Sequence, residues 1–406
     1  MDDELTGKRI AAHRKQRGMT QVALAQAATI SVSMLRKVEQ GERDCSQSTL
    51  ASVARVLRVD AGVLTGQPYD TEEPQRDRIH KYIPDLRRAL NSWDLPIELG
   101  HRPRPLSDLE ADAKDVARTL QFGRNRRLAE ILPSLLTEAF AMVHATDDEQ
   151  NRDTLGRVLL AYAHAAHTVA HQTGYEDLAA SVEDRIQWIA SFTNDPAAKG
   201  FAAWMRTTSI MRDPLYEPGL RLLDSVRAEI DPGGRENDAA LLATGSLHLR
   251  SSLLAGRAGD LALAMDHVEE ARKISTHLTT DTDNDWQHMA FGPSNVAIYR
   301  VASAVESGDG PRALALAEET RLPDHMLTQL PTRVAHHNTD LARAYFWQGK
   351  HDKALQSLMV AKKAAPQQTR HHPAVRDVTN LLVRAHRRSN EPLARFRAWL
   401  GPDPEW

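Results

Sequence analysis

The sequence predicts an all-α protein: five short helices at the amino end, followed by a long α-helical repeat solenoid. Three observations carry that expectation. Apolar residues recur at helical three- and four-residue steps along most of the chain, and no alternating strand pattern persists. Ala, Leu, Arg and Glu dominate from residue 106 onward, and β-branched runs are short. In that same part a turn glycine is repeatedly followed, five residues later, by a small alanine. A length of 406 residues is comfortable for two or more domains.

The first helix is expected over residues 5–17, where Gly18 stops it. Thr20 reads as the N-cap of the second, because its hydroxyl can satisfy an orphan amide of the first turn. Leu24 and Ala25 face inward, and Ala25 is small enough to let the next helix approach. Thr29-Ile30-Ser31 makes the corner, and Ser31 caps a third helix whose Leu35 and Val38 point back at the core. That leaves Val32, Ser33, Arg36 and Lys37 on the outward side. A fourth helix starts near Ser48-Thr49 and carries Leu50, Val53, Ala54 and Leu57. A short fifth follows Asp60 with Val63 and Leu64, so the first domain is expected to span residues 1–66.

The stretch from Thr20 to Gly41 has helix-turn-helix spacing, in which the second helix of the pair lies in a DNA major groove. It resembles the XRE family, the Cro/phage-repressor class of helix-turn-helix regulators, on Thr20-Gln21, Leu24-Ala25 and Glu39-Gln40-Gly41. The resemblance implies a DNA-binding domain in which Arg14 pairs with Glu39. It also implies a positive φ at Thr29, which stands where the family has a turn glycine. By position, Val32, Ser33 and Lys37 match base-reading sites, and Gln21 matches a phosphate-contacting site at a helix N-terminus. Lysine can donate to guanine, serine is permissive, and valine can meet a thymine methyl. Arg36 and Arg43 are further phosphate partners, which position the protein without reading sequence.

Charge agrees with this reading. Residues 1–66 hold ten Lys/Arg against seven Asp/Glu, a net of +3, while the whole chain is −3, leaving −6 for the rest. A basic head on an acidic body suits double-stranded DNA as a partner, with modest and salt-dependent affinity per head. Cys45 is the sole cysteine, so no intrachain disulfide can form and a reducing cytosol is expected. The first ten residues, MDDELTGKRI, are charged, and no uninterrupted apolar run reaches membrane-spanning length. A soluble, cytoplasmic, nucleoid-associated protein with no membrane partner is expected.

Residues 67–105 read as a linker with a bracing helix. Gln67 to Pro74 is polar, Pro84 suits the first turn of a helix carrying Leu86, Leu90 and Trp93, and a Pro/Gly-rich loop runs from Leu95 to Pro105. That helix suits an inter-domain brace or a dimer contact. Residues 106–406 read as the repeat domain, for ligand sensing and oligomerisation. Gly174, Gly259, Gly308 and Gly349 precede Ala179, Ala264, Ala313 and Ala354. In the best copy, Leu341, Ala342, Tyr345, Ala354, Ala361 and Pro366 fall on tetratricopeptide-type positions. The intervals of 49 and 41 residues between successive alanines exceed the standard ~34, so the array is TPR-like with lengthened helices. Helices over about residues 374–388 and 393–400 would cap it. Together with PDLRRAL near Pro84 and FGPSNVAIYR near Phe291, this resembles actinobacterial-type XRE regulators with a TPR-like C-terminal region. It is also similar, more distantly, to peptide-pheromone-sensing regulators of Gram-positive bacteria, which hold their signal in the TPR groove.

That likeness makes Asn295 and Asn338 candidate ligand-binding residues of one groove, with Trp286, Phe291, Tyr299 and Arg300 nearby. A helix cap plus ordinary packing is the plainer account of the same residues. Asp281, Asp283 and Asp285 alternate as in a calcium loop, but Trp286 and Gly292 occupy its glycine and closing-glutamate positions, so the pattern fails. His164, His167 and His171 share one helical face, and His336-His337 and His371-His372 are adjacent pairs; without a supporting carboxylate or cysteine cluster they read as groove or surface residues. No P-loop, zincin or nucleophile-elbow pattern occurs, so no cofactor, metal or enzymatic activity is expected. The leading expectation is a homodimeric transcription regulator on a palindromic operator, governed by a small peptide or metabolite. The rival is an interaction scaffold whose array grips a protein partner while the head tethers it to DNA.

Overall fold

The computed structural model describes residues 6–66, 79–230, 238–278, 289–385 and 390–401. All regular elements among them are helical, as the periodicity requires. The head comprises α1 (Thr6–Gln16), α2 (Gln21–Ala27), α3 (Val32–Gln40), α4 (Gln47–Leu57) and α5 (Ala61–Thr65). Local chemistry sets each boundary. Thr20, Ser31, Ser46 and Asp60 are N-caps whose side-chain oxygens accept from Ala23, Met34, Thr49 and Gly62 amides. Gly18, Gly41 and Gly66 take positive φ just past helix ends. Thr29 does so at the corner, with φ 57°, as its place in the turn demands. Ile10, Leu24, Leu35, Val53, Leu57 and Leu64 are fully buried and form the head's own core. Gly7 matters here, because a Cβ would stand 1.9 Å from the Val38 carbonyl oxygen; only glycine lets α1 lie this close to α3.

Next comes α6 (Ile83–Asn91), then α7 (Leu106–Gln121), α8 (Asn125–Ala145), α9 (Glu149–Gln172), α10 (Glu176–Phe192), α11 (Pro196–Arg212) and α12 (Tyr216–Ile230). They are followed by α13 (Asp238–Ala258), α14 (Leu261–Ser275), α15 (Pro293–Glu306), α16 (Gly310–Glu319) and α17 (His325–Gln329). The chain closes with α18 (Pro331–Trp347), α19 (His351–Ala364), α20 (Pro366–His371), α21 (Pro373–Ala385) and α22 (Glu391–Leu400). The bracing helix is placed differently from expectation. Ile83, Leu86 and Leu90 of α6 are buried in the same core as α7–α10, so the helix expected as an inter-domain brace or a dimer contact packs into the array. Its amphipathic face is as apolar as those of its neighbours, and burying it there removes more apolar surface from water than a linker would.

The glycine–alanine recurrence is structural. Gly174, Gly259, Gly308 and Gly349 have φ of 85°, 86°, 79° and 67°. In each, the glycine amide and the one after it close the preceding helix by bonding back to its last-turn carbonyls, for example Gly308 to Val305 and Asp309 to Ala304. Asp260 and Asp309 then cap the next helix through Leu263 and Arg312 amides. Ala179, Ala264, Ala313 and Ala354 are at most 1% exposed, where a larger side chain would hold the paired helices apart. One helix among the described residues, α8, is long and apolar enough to cross a membrane. Its Leu128, Leu132, Leu136 and Phe140 are instead fully buried against neighbouring helices.

Candidate nucleic-acid interface and the cavity behind it

In the head, α2 and α3 meet through Leu24, Ala25 and Leu35 and project the outward face of α3 from the molecule. Ser33, Arg36 and Lys37 are exposed and Val32 is half-buried. The ion pair expected between the first and third helices is present. Arg14 donates from Nε to Glu39 Oε1 at 2.7 Å and from Nη2 to Oε2 at 2.8 Å, while Nη1 reaches the Met19 carbonyl at 2.8 Å. The pair is nearly buried and bidentate, so it fixes the angle between α1 and α3. Gln21 donates to Glu39 Oε2 at 2.8 Å, which pins its side chain at the start of α2, beside α3.

Arg43 is placed otherwise than its expected phosphate role suggests. Its guanidinium lies over the Trp347 ring, 5.5 Å from the centroid, at the junction of head and array. That junction is polar and specific. Asp44, 4% exposed, accepts from Arg343 Nε at 3.1 Å and from Trp347 Nε1. Thr6 donates to Asp377 at 2.6 Å, Arg384 donates to the Gln40 carbonyl at 3.2 Å, and α4 packs on α11 and α13. Cys45 is buried beside this junction; burial, with the carboxylates of Asp377 and Asp44 nearby, pushes its thiol well up, which leaves it a poor nucleophile.

Residues 10–64 match the helix-turn-helix family model. The uncharacterized HTH-type transcriptional regulator YazB of Bacillus subtilis (strain 168) is 42% identical over 64 residues, 16% of this chain and 93% of YazB. The chain belongs to the XRE-type helix-turn-helix family. The immunity repressor protein of Bacillus phage phi105 is 34% identical over 84 residues, 21% of this chain; the chain spans just over half, 58%, of that repressor's length. No solved structure matches the chain. Within this helix-turn-helix protein the likeness is thus concentrated in the head, and the array has to be read from its own geometry.

Behind the head lies a cavity of about 380 Å3. Head residues Leu50, Ala51 and Thr65 form one wall. The array supplies the rest from α7, α9, α10, α11, α13, α15, α18, α20 and the start of α21, including His164, Trp204, Arg250, Tyr299 and Arg333. Of the candidate ligand residues, Tyr299 alone among those described lines this cavity. Asn295 is 2% exposed and donates back to the Ala290 carbonyl, which makes it a helix-start residue. Phe291 is fully buried against Gly245, where a Cβ would stand 2.0 Å from its ring. Asn338 donates to the Val334 carbonyl at 2.9 Å, and Arg300 pairs with Glu319 at 2.9 Å. Trp286, with the Asp281, Asp283 and Asp285 series, falls outside the described residues.

The histidine face does point into the cavity. His167 bonds Glu183 at 3.2 Å and His171 bonds Glu176 at 2.9 Å. No group of three or more metal-ligating side chains forms among the described residues. His336 and His372 stack edge to face with centroids 5.8 Å apart. Burial, then His372 and Arg333, hold His336 well below the ordinary imidazole range, and burial takes His372 down to about 4. Arg250, Arg333 and Arg343 belong to no sequence motif. A signal was there: Arg333, His336, Asp340, Arg343 and Trp347 recur at three- and four-residue steps, a polar stripe on one face of a helix inside an apolar array.

Proposed function

We propose that this helix-turn-helix protein is a sequence-specific DNA-binding transcription regulator. The observation that carries the reading is the exposure of Ser33, Arg36 and Lys37 on α3 while the head is docked on the array through Asp44, Arg43, α4 and α5. The groove-reading face and the docking face are therefore different faces of one small domain. Lys37 and Ser33 would meet base edges, with Arg36 and the Gln21 side chain beside backbone phosphates. Two heads related by a twofold axis would read a palindromic operator about 34–36 Å from centre to centre, as a cytoplasmic, nucleoid-associated homodimer. The TPR-like array would sense a small peptide or metabolite and shift operator affinity by about 1–3 kcal/mol.

The test is selection of bound DNA from a random-sequence pool, then mobility shift on the selected site and on a scrambled one. Lys37→Ala should cost about 1–3 kcal/mol on the selected site and little on the scrambled one. Gln21→Ala should weaken both alike. Equal loss on both sequences for Lys37→Ala would remove it from base reading, and no enriched sequence at all would overturn the regulator reading.

A further inference from the structure

The charge lining the cavity is not balanced by the protein. Three of its arginines have carboxylate partners. Arg212 pairs with Glu176 at 2.9 Å, Arg257 with Glu306 at 2.6 Å, and Arg343 with Asp44 at 3.1 Å and Glu306 at 3.2 Å. Arg250 on α13 and Arg333 on α18 face the same space, and no described carboxylate pairs with either. Arg250 Nε and Arg343 Nη2 are buried without a hydrogen-bond partner. A buried guanidinium left so is costly, and a fold retains one where something else completes it.

Three further facts sharpen the chemistry. The Arg250 guanidinium lies 4.0 Å from the centre of the Trp204 ring, a cation–π contact that holds it at the cavity wall without neutralising its charge. Asp340, the remaining acid of the cavity, lies 3.8 Å from Arg343, and burial pushes it up to about 7, so it supplies only part of a negative charge at neutral pH, and supplies it to Arg343. Apolar side chains cover part of the remaining wall, Met205, Met211, Leu253 and Ile298 from the array with Leu50 and Ala51 from the head, beside uncharged polar ones such as Gln121 and Gln368 and the histidine face. A volume of about 380 Å3 belongs to the range of small-molecule sites.

We propose that this cavity binds a small organic anion, a carboxylate or phosphate on an apolar body, through the guanidinium groups of Arg250 and Arg333. Because Leu50, Ala51 and Thr65 of the head close the same space, the bound anion touches head and array together. Occupancy then biases how the head is docked, and by linkage DNA binding biases occupancy. Only that regulatory consequence rests on the regulator reading; the binding does not.

The full chain is titrated with anilinonaphthalene sulfonate, an anion on an apolar body whose fluorescence rises when it leaves water, and with neutral Nile red as the control. One saturable sulfonate site is expected. Arg250→Gln and Arg333→Gln should each weaken it about tenfold or more, the scale of a lost charge-assisted hydrogen bond, with Nile red unchanged. Arg250→Lys, which keeps the charge, should retain most of the affinity. Displacement by octanoate or by octyl phosphate tells which headgroup is preferred. Equal sulfonate affinity in wild type and in the folded Arg333→Gln chain overturns the proposal. So does displacement by octanol as effective as by either anion. Operator binding is scored separately by mobility shift, so its absence would overturn the regulator reading and leave the anion site standing.

Discussion

At the scale of single residues, Thr29 shows how a helix-turn-helix corner overrides side-chain preference. A β-branched residue holds φ 57° because the chain must reverse between α2 and α3 within three residues. The left-handed conformation costs a non-glycine residue about 1–2 kcal/mol, and glycine returns part of that as unfolded-state entropy. Thr29→Gly should therefore stabilise the head by about 0.5–1 kcal/mol, read as a higher denaturant midpoint at unchanged slope. Asp340 offers a second case, with the sign set by its surroundings. His336, His337 and His372 are held below the imidazole's ordinary 6.5 by burial. As pH falls below 6.5 the unfolded chain takes up protons before the folded one, and stability is lost on the way toward about 4. Asp340, raised from 3.8 to about 7, works the other way, because the folded state is the better proton binder in that window. Asp340→Asn should steepen the fall of the thermal midpoint between pH 7 and pH 5. A difference between variant and wild type that stays constant over that range would contradict the assignment.

At the scale of elements, the array depends on backbone approach as much as on apolar area. Turn glycines and small alanines are visible in the sequence because they recur. Gly245 and Gly256 are equally constrained but carry no such recurrence, because what crowds them, the Phe291 ring and the α15 backbone, comes from a distant part of the chain. A Cβ on Gly256 would stand 2.8 Å from the Ser303 carbonyl oxygen, so α13 and α15 are in backbone contact there. Gly256→Ala should destabilise the protein by about 1–3 kcal/mol, the usual cost of overfilling a packed interior, measured by chemical unfolding. The same change at Gly259, whose Cβ would meet nothing within 4 Å, probes only the positive φ of 86° and separates backbone strain from crowding. The helix over 83–91 carries a related lesson. Its apolar face was legible, but which partner buries that face is set by the helices it reaches in space.

At the scale of the molecule, the junction between head and array turns on Asp44. Its carboxylate holds Arg343 and Trp347, and Arg343 continues to Glu306, which Arg257 also holds. This chain of charges runs from the loop after α3 to the cavity wall. Removing one partner of a buried pair costs on the order of 3 kcal/mol, and Arg343 keeps Glu306, so the lower part of the 3–5 range applies. Asp44→Ala should thus loosen the head without unfolding it. Amide exchange in α4 and α5 should quicken, while the core of α8–α10 stays protected. Unchanged exchange in α4 and α5 would mean that apolar packing against α11 and α13 holds the head by itself.

The sequence by itself determined the helical class, the five helices of the head with their caps, the Arg14–Glu39 pair, the strained corner at Thr29 and the glycine–alanine rhythm of the array. Each depends on residues near in sequence or on a motif of fixed spacing, so local chemistry suffices. Tertiary structure decided which residues meet across the head–array junction and which face the cavity. Asn295 and Asn338 carry the right amides, yet their side chains are spent on carbonyls of their own helix or its approach. Arg250 and Arg333, 83 positions apart, carry the unmatched charge instead. Such an encounter depends on how successive helix pairs curve and where the head docks, and that is set by packing summed over the whole array, which no short stretch of sequence records.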